Sequence, residues 1–330
     1  MERFTPANRG QLIAAIRQMN ESTGIHSEHG HINDWDVSRV TDMSNMFDAS
    51  WHYEHNEMLY AFNQPLDRWN VSNVTNMSGM FSYSSAFNQP LDRWNVSNVT
   101  NMSGMFDHSI AFNQPLDRWN VSNVTNMSRM FSYSIAFNQP LDRWNVSNVT
   151  NMSGMFDHSI AFNQPLNRWN VSKVTNMQCM FYDCRSFNQP LNSWNVSNVT
   201  DMSWMFYDCR AFHQVLPWKL CVDVETVEMF VGSHGSLLER RSPGTIRRRN
   251  GELAHSIIKR SNHPNMMHID DDHFSPIEAD APDFTRRLMA NVRKRSPDLL
   301  VGKRKTQTEK TMKRKRSRSR SRSRKGSSRK

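Results

Sequence analysis

The chain has 330 residues, with 41 Lys and Arg against 31 Asp and Glu, for a formal net charge of +10. No stretch of about 18 apolar residues occurs, so no membrane-spanning helix is encoded. Four cysteines without a C-x-x-C pair suit a reducing compartment and exclude a zinc site of that type.

The first residues, MERFTPANRGQLIAAIRQMNESTG, lack a basic segment followed by an apolar core, so no classical export signal is expected. Leu12, Ile16 and Met19 fall on one helical face with Ile13 beside them. Residues 1–30 therefore read as a capping helix and a turn that cover the open end of a stack. The HSEHGH run from His26 to His31 belongs to that turn rather than to a metal site.

Residues 31–230 are a repeat. Trp69, Trp94, Trp119, Trp144, Trp169 and Trp194 follow one another at a constant step of 25. Trp35 precedes them with nine extra residues in DASWHYEHNEMLYA, the size of insertion that a surface loop absorbs at little entropic cost. A fixed period of this length marks units that bury their apolar faces only by stacking. Within one unit the apolar set is Phe87, Leu91, Trp94, Val96, Val99, Met102, Met105 and Phe106. Its spacing fits neither a long helix nor strict alternation, so each coil turns more than once. Short strands are expected around PLDRW and NVSNV, with a tight helical turn near MSGMF. Coils at strand spacing, roughly 4.8 Å, would make seven of them a rod about 35 Å long.

Asn95, Asn98 and Asn101 and their copies each open an N-x-S or N-x-T triplet. One reading is a glycosylation acceptor. The other, which the three-residue spacing favours, is that Asn, Ser and Thr side chains satisfy turn backbone groups and ladder from coil to coil. Cys184 and Cys209 share a position in adjacent units and are expected to be small buried thiols rather than a disulfide.

At this point the residues carry a resemblance. FNQPLDRWNVSNVTNMSGMF is similar to the repeat of BspA-like leucine-rich-repeat proteins, a form first catalogued as a domain of unknown function in mycoplasma surface proteins. GHINDWDVSRVTDMSNMF, Gly30 to Phe47, resembles the opening unit of such proteins in bacteria, protists and large DNA viruses. The resemblance covers roughly residues 10 to 230. It implies an α/β solenoid, a leucine-rich-repeat-like stack of about seven to eight 25-residue coils used for binding, with no catalytic residues to carry over. A surface adhesin, as among the bacterial relatives, is one reading that it keeps open.

Surface positions are monotonous through the middle of the array. Arg93, Arg118, Arg143 and Arg168 form one row and Asp92, Asp117 and Asp142 another, so neighbouring charges are expected to pair along the stack. One position varies, reading Gly79, Gly104, Arg129, Gly154, Cys179 and Trp204 in successive units. Diversity thus rises toward the C-terminal units, and Tyr182, Trp204, Tyr207 and Trp218 are the candidate residues for a protein partner.

Residues 231–302 read as a linker with marginal helices, one of them lined by Phe284, Leu288, Met289 and Val292. RSPGT and RSPDL are Pro-directed phosphosite patterns, and HPNMMHIDDDH is a weak metal candidate. Residues 303–330 hold 15 basic residues against the single Glu309 and are expected to be a disordered RS tail. Residues 231–330 carry 27 basic and 10 acidic residues, leaving 14 and 21 for residues 1–230, so +17 faces −7. Lys313, Arg314, Lys315, Arg316, Arg318, Arg320, Arg322 and Arg324 are candidates for nucleic-acid binding and for an import receptor. Ser317, Ser319, Ser321 and Ser323 lie between arginines and are candidate phosphorylation sites whose charge would oppose that binding. No glycine-rich phosphate loop, G-x-S-x-G elbow or H-E-x-x-H occurs, so the expectation is a non-enzymatic scaffold without cofactor or metal, intracellular and nuclear. A nucleic-acid-packaging protein acting through the tail is the alternative.

Overall fold

A computed structural model describes residues 3–20, 22–50 and 57–238, all in the first of the chain's two units, Met1–Thr245. The proposed linker helix, the Pro-directed sites, the HPNMMHIDDDH run and the RS tail lie outside the described residues.

The chain opens with α1, Arg9–Gln18. Asn8 starts it by accepting from Gln11 N, while Gln11 Oε1 accepts from Ala7 N, so two N-terminal donors are satisfied. Leu12, Ala15 and Ile16 are buried beneath it and Met19 follows them into the core. The Arg9 guanidinium donates to Ser44 O at 2.6 and 3.0 Å, which ties the helix to the first repeat unit. A short antiparallel pair, β1 (Ile25–His26) and β2 (Gly30–His31), then leads through a single 3-10 turn, Ile32–Asp34, to Trp35. This is the turn expected of the HSEHGH run. After the four-residue helix α2, Glu57–Tyr60, the regular repeats begin.

All eight apolar positions of the unit are buried, each at 4% exposure or less, from Phe87 to Phe106 and again in the following copies as far as Phe206. Indoles stack on indoles, as Trp94 on Trp119 at 6.5 Å and 3°, and phenylalanines stack on phenylalanines in two rows. Each unit is hydrogen-bonded to the next in two directions. Four backbone N–H groups point forward, as Met77, Gly79, Phe81 and Tyr83 donate to the carbonyls of Asn101, Ser103, Met105 and Asp107, while one points back, Thr100 N to Thr75 O. Side chains mostly point back. Trp94 Nε1 donates to Leu66 O, Asn98 Nδ2 to Ser72 O, Gln89 Nε2 to Asn63 O, and Ser109 Oγ to Phe81 O. The Asn residues do what the second reading of the triplets required. Asn95 Oδ1 accepts from Ser97 N, and Asn101 Oδ1 from Ser103 N, closing turns inside the unit.

The local conformation differs from the expected strands. PLDRW and NVSNV are turns, closed by Trp94 N to Leu91 O and Val99 N to Val96 O. Within each regular unit the ladder shrinks to a single parallel bridge, as in Asn76 to Asn101 to Asn126. The physical reason is that i to i+3 bonds and Asn-capped turns use the backbone groups that a strand would offer its neighbour. The MSGMF segment is likewise a run of turns: Met105 N, Asp107 N and Ser109 N bond to Met102, Gly104 and Phe106 carbonyls. Gly104 (φ 60°) and His108 (φ 56°) are left-handed, which stops the run from continuing as a helix. At the far end two short parallel strands pair, β3 (Val215–Leu216) and β4 (Ser236–Leu237).

Candidate functional site

The left-handed backbone explains the variable surface position. Asn45, Gly79, Gly104, Arg129, Gly154, Cys179, Trp204 and Glu228 all have φ between 49° and 60°. Glycine suits that geometry best, and each departure from it aims a side chain outward at a conformational cost. Arg129 uses the position to reach Asp107 one unit earlier, with Nε 3.3 Å from Oδ2. Trp204 uses it to donate Nε1 to Glu228 Oε2 at 3.2 Å.

A second left-handed position lies four residues on. It holds Tyr83, His108, Tyr133 and His158, then Asp183 and Asp208. The rings stack into a ladder at the surface: Tyr83 to His108 at 4.2 Å, His108 to Tyr133 at 4.3 Å, and Tyr133 to His158 at 4.2 Å. In the last two units of the row the ring moves one residue earlier. Tyr182 meets His158 at 5.3 Å with a 31° tilt and stacks on Tyr207 at 4.9 Å and 3°. Carboxylates line the ladder. His108 and His158 hold Asp107 and Asp157 at 2.8 and 2.6 Å, and Arg185 clamps Asp183 with two bonds of 2.7 and 2.8 Å. Burial, with Asp107 next, pushes the Tyr83 phenol up to about 12, and burial raises Tyr182 as well.

Three of the four candidate partner residues therefore share one region. Tyr182 and Tyr207 are half-buried with their rings face to face, and Tyr207 N bonds to Trp204 O at 3.1 Å. Trp218 does not join them. It is 7% exposed, stacks on Trp194 at 6.0 Å and donates Nε1 to Leu191 O, so it is the last rung of the core indole ladder. The candidate import, nucleic-acid and phosphorylation residues from Lys313 to Arg324 lie outside the described residues.

The aromatic ladder itself was not anticipated, because His108 and His158 look like plain repeat copies. Its signal is present once units are aligned in 50-residue pairs, where a tyrosine in SYS alternates with a histidine in DHS. The expected charge rows pair weakly: Arg93, Arg118, Arg143 and Arg168 lie 3.7 to 4.0 Å from Asp67, Asp92, Asp117 and Asp142, with the arginines 71–79% exposed. Where the aspartate becomes Asn167 the arginine one unit on becomes Ser193, whose hydroxyl bonds to Asn167.

Two of the four thiols are structural. Cys184 and Cys209 are buried, and their Sγ atoms donate to Phe156 O and Phe181 O at 2.8 and 2.7 Å, where other units use serine. Burial raises both thiols well above the usual range, and pushes Cys179 up to about 12. Among the described residues no cluster of metal-ligating side chains occurs, and no helix is long and apolar enough to cross a membrane.

No curated protein and no solved structure matches this chain. Residues 14–139 and 114–219 both match one family, and by that match over most of its repeat array the chain belongs to the family described as Mycoplasma protein of unknown function, DUF285.

Proposed function

We propose that the chain is a leucine-rich-repeat-like α/β solenoid acting as a non-enzymatic scaffold that captures a protein partner through its C-terminal units. The observation that carries this reading is the group formed by Tyr182, Tyr207 and Trp204. Elsewhere the surface repeats itself from unit to unit, whereas here two stacked, half-buried tyrosines lie in the same C-terminal units as an indole held by Glu228, three residues before Tyr207. Aromatic side chains with fixed rotamers give contact area at low entropic cost, which is what an interface centre needs. In this reading the ion-paired arginine row further up the stack is a solvated face that contributes little to affinity.

The basic residues 303–330 act in this proposal as the addressing element, directing the protein to the nucleus or tethering it to nucleic acid. Their composition supports it, since 15 cationic side chains against Glu309 attract any polyanion in a salt-dependent way. Affinity capture with residues 1–238, at two salt concentrations, tests the scaffold reading. Retention of a partner at high salt, lost on Trp204→Ala with Tyr207→Ala, is the expected outcome. Binding that appears only with residues 303–330 present, and disappears at high salt, would instead favour a nucleic-acid-packaging protein. Recovery of the native protein outside the cell would favour an adhesin.

A further inference from the structure

The two ends of the repeat stack differ in polarity. Because each unit sends four backbone N–H groups forward, the first unit presents carbonyls and the last presents donors. At the first unit α1 covers that edge, and Arg9 donates twice to Ser44 O. At the last unit Met202, Trp204, Phe206 and Asp208 donate to Glu225, Val227, Met229 and Val231. One unit on, the corresponding donors are the N–H groups of Thr226, Glu228, Phe230 and Gly232. None of these has an acceptor among the described residues.

The same end is apolar. Of the six large hydrophobic residues exposed among the described residues, five are Val215, Val222, Val227, Val231 and Leu238. Val227 is 53% exposed, whereas Ser203, its counterpart one unit earlier, is 2% exposed because another unit lies over it. Uncovered valines beside orphan donors are what the end of a stack shows when its last unit is not polar on the outside. Asp223, Glu225 and Glu228 are exposed in the same unit, so carboxylate acceptors stand next to donors that lack them.

We propose that this end is a self-association surface on which a second copy of the chain docks end to end about a two-fold axis, giving a closed dimer. Head-to-tail stacking, which would match donors to carbonyls and continue without limit, is blocked by α1 and Arg9 at the other end. The four forward donors of one edge cannot pair with the same four of another. They can share side chains: the valines of one copy pack on those of the other, and the carboxylates of each accept from the orphan N–H groups opposite. That arrangement is self-complementary, as an isologous contact must be, and it stops at two.

The test is sedimentation of the full chain at high salt from about 1 to 100 µM, which brackets a weak dimer. A concentration-dependent shift from monomer to dimer is expected. Val227→Asp with Val231→Asp should weaken it about a hundredfold or more, since two buried valines are replaced by like charges. Ile25→Asp, an exposed apolar position at the other end, should leave it unchanged. Hydrogen exchange of the Thr226, Glu228, Phe230 and Gly232 amides should be fast at low concentration and slow at high concentration. A monomer throughout, whether these amides are open or already protected by the chain's own later residues, overturns the proposal. So does growth beyond the dimer.

Discussion

Ser134 offers the sharpest check on the stacking geometry, because the protein already contains the control substitutions. Ser84, Ser109 and Ser134 are fully buried and donate Oγ to Phe47, Phe81 and Phe106 carbonyls at 2.6 to 2.7 Å. The same place is filled by Cys184 and Cys209 with the same acceptor. Removing the hydroxyl in Ser134→Ala deletes one buried bond. It does not orphan the carbonyl, since Phe106 O still accepts from Ser109 N at 3.0 Å. The cost is accordingly about 1 kcal/mol, the net value of one bond, rather than the larger desolvation penalty of an unpaired group. Ser134→Cys keeps a weaker donor of larger size and should fall below that, within about 1 kcal/mol of the parent. Ser134→Val removes the donor and adds two carbon branches to a closed site, for about 2–4 kcal/mol. Urea unfolding followed by tryptophan emission reads the series, since Trp94 and Trp119 belong to the two units that the bond joins. An alanine variant as stable as the parent, or a cysteine variant worse than valine, would refute the shared role of this row.

Glycine substitutions should separate backbone cost from steric cost. Gly104→Ala meets nothing closer than 3.8 Å and should cost about 1–2 kcal/mol for its left-handed φ alone; Gly79→Ala brings a Cβ to 2.0 Å from Asn45 Oδ1 and should cost clearly more, with part recovered in an Asn45→Gly background when melting is compared. The exposed pair Asp117 and Arg143 should be worth no more than about 0.5 kcal/mol, so Asp117→Asn with Arg143→Ser leaves the urea midpoint nearly unmoved. His26 is 3% exposed and its Nδ1 accepts from Glu28 N and His29 N. Burial, then the His29 neighbour, holds it below its ordinary 6.5 against the opposing pull of Glu28. Folding therefore favours the neutral ring: its contribution is complete above pH 6.5 and is lost as pH falls below it. Melting between pH 7.5 and 5 should show a loss that His26→Gln diminishes; an equal loss in both proteins would place the acid sensitivity elsewhere.

The period, the eight core positions and the capping face of α1 were all legible, because each rests on side-chain burial and burial leaves a spacing in the letters. Backbone conformation was not. Nothing in NVSNV distinguishes a strand from a turn closed by its own asparagine, since both bury the valines and expose the polar residues. The left-handed position was hidden for a related reason. Gly79 and Gly104 signal it, but Arg129, Cys179 and Trp204 occupy it too, so the column reads as surface diversity rather than as a fixed φ. Trp218 misled by one residue: the last unit is shorter, placing it 24 rather than 25 residues after Trp194, and it looks detached from a ladder it in fact completes.

Repetition also decides where a specific surface can arise on this chain. A substitution that alters one unit must satisfy the unit before it, through the backward-pointing side chains, and the unit after it, through the forward N–H groups. The Asn167 and Ser193 pair shows the constraint, since the two changes occur together across one junction. The left-handed position is less tightly bound by it, since its occupant changes from glycine to Arg129, Cys179 and Trp204 while the backbone keeps the same φ. Its occupant is still limited by the same position of the next unit: Arg129 lies over Gly154, where a Cβ would come within 3.3 Å of its side chain. A bulky group in the middle of the array thus asks for glycine in the next unit. At Trp204 the next occupant, Glu228, answers with a hydrogen bond, and no further repeat unit among the described residues has to be accommodated. Specific recognition is therefore expected where the stack ends, and a Trp204→Gly variant, which restores the commonest occupant of that position, should abolish partner capture while leaving stability unchanged or raised. A variant that still captures its partner would move the recognition surface away from this end.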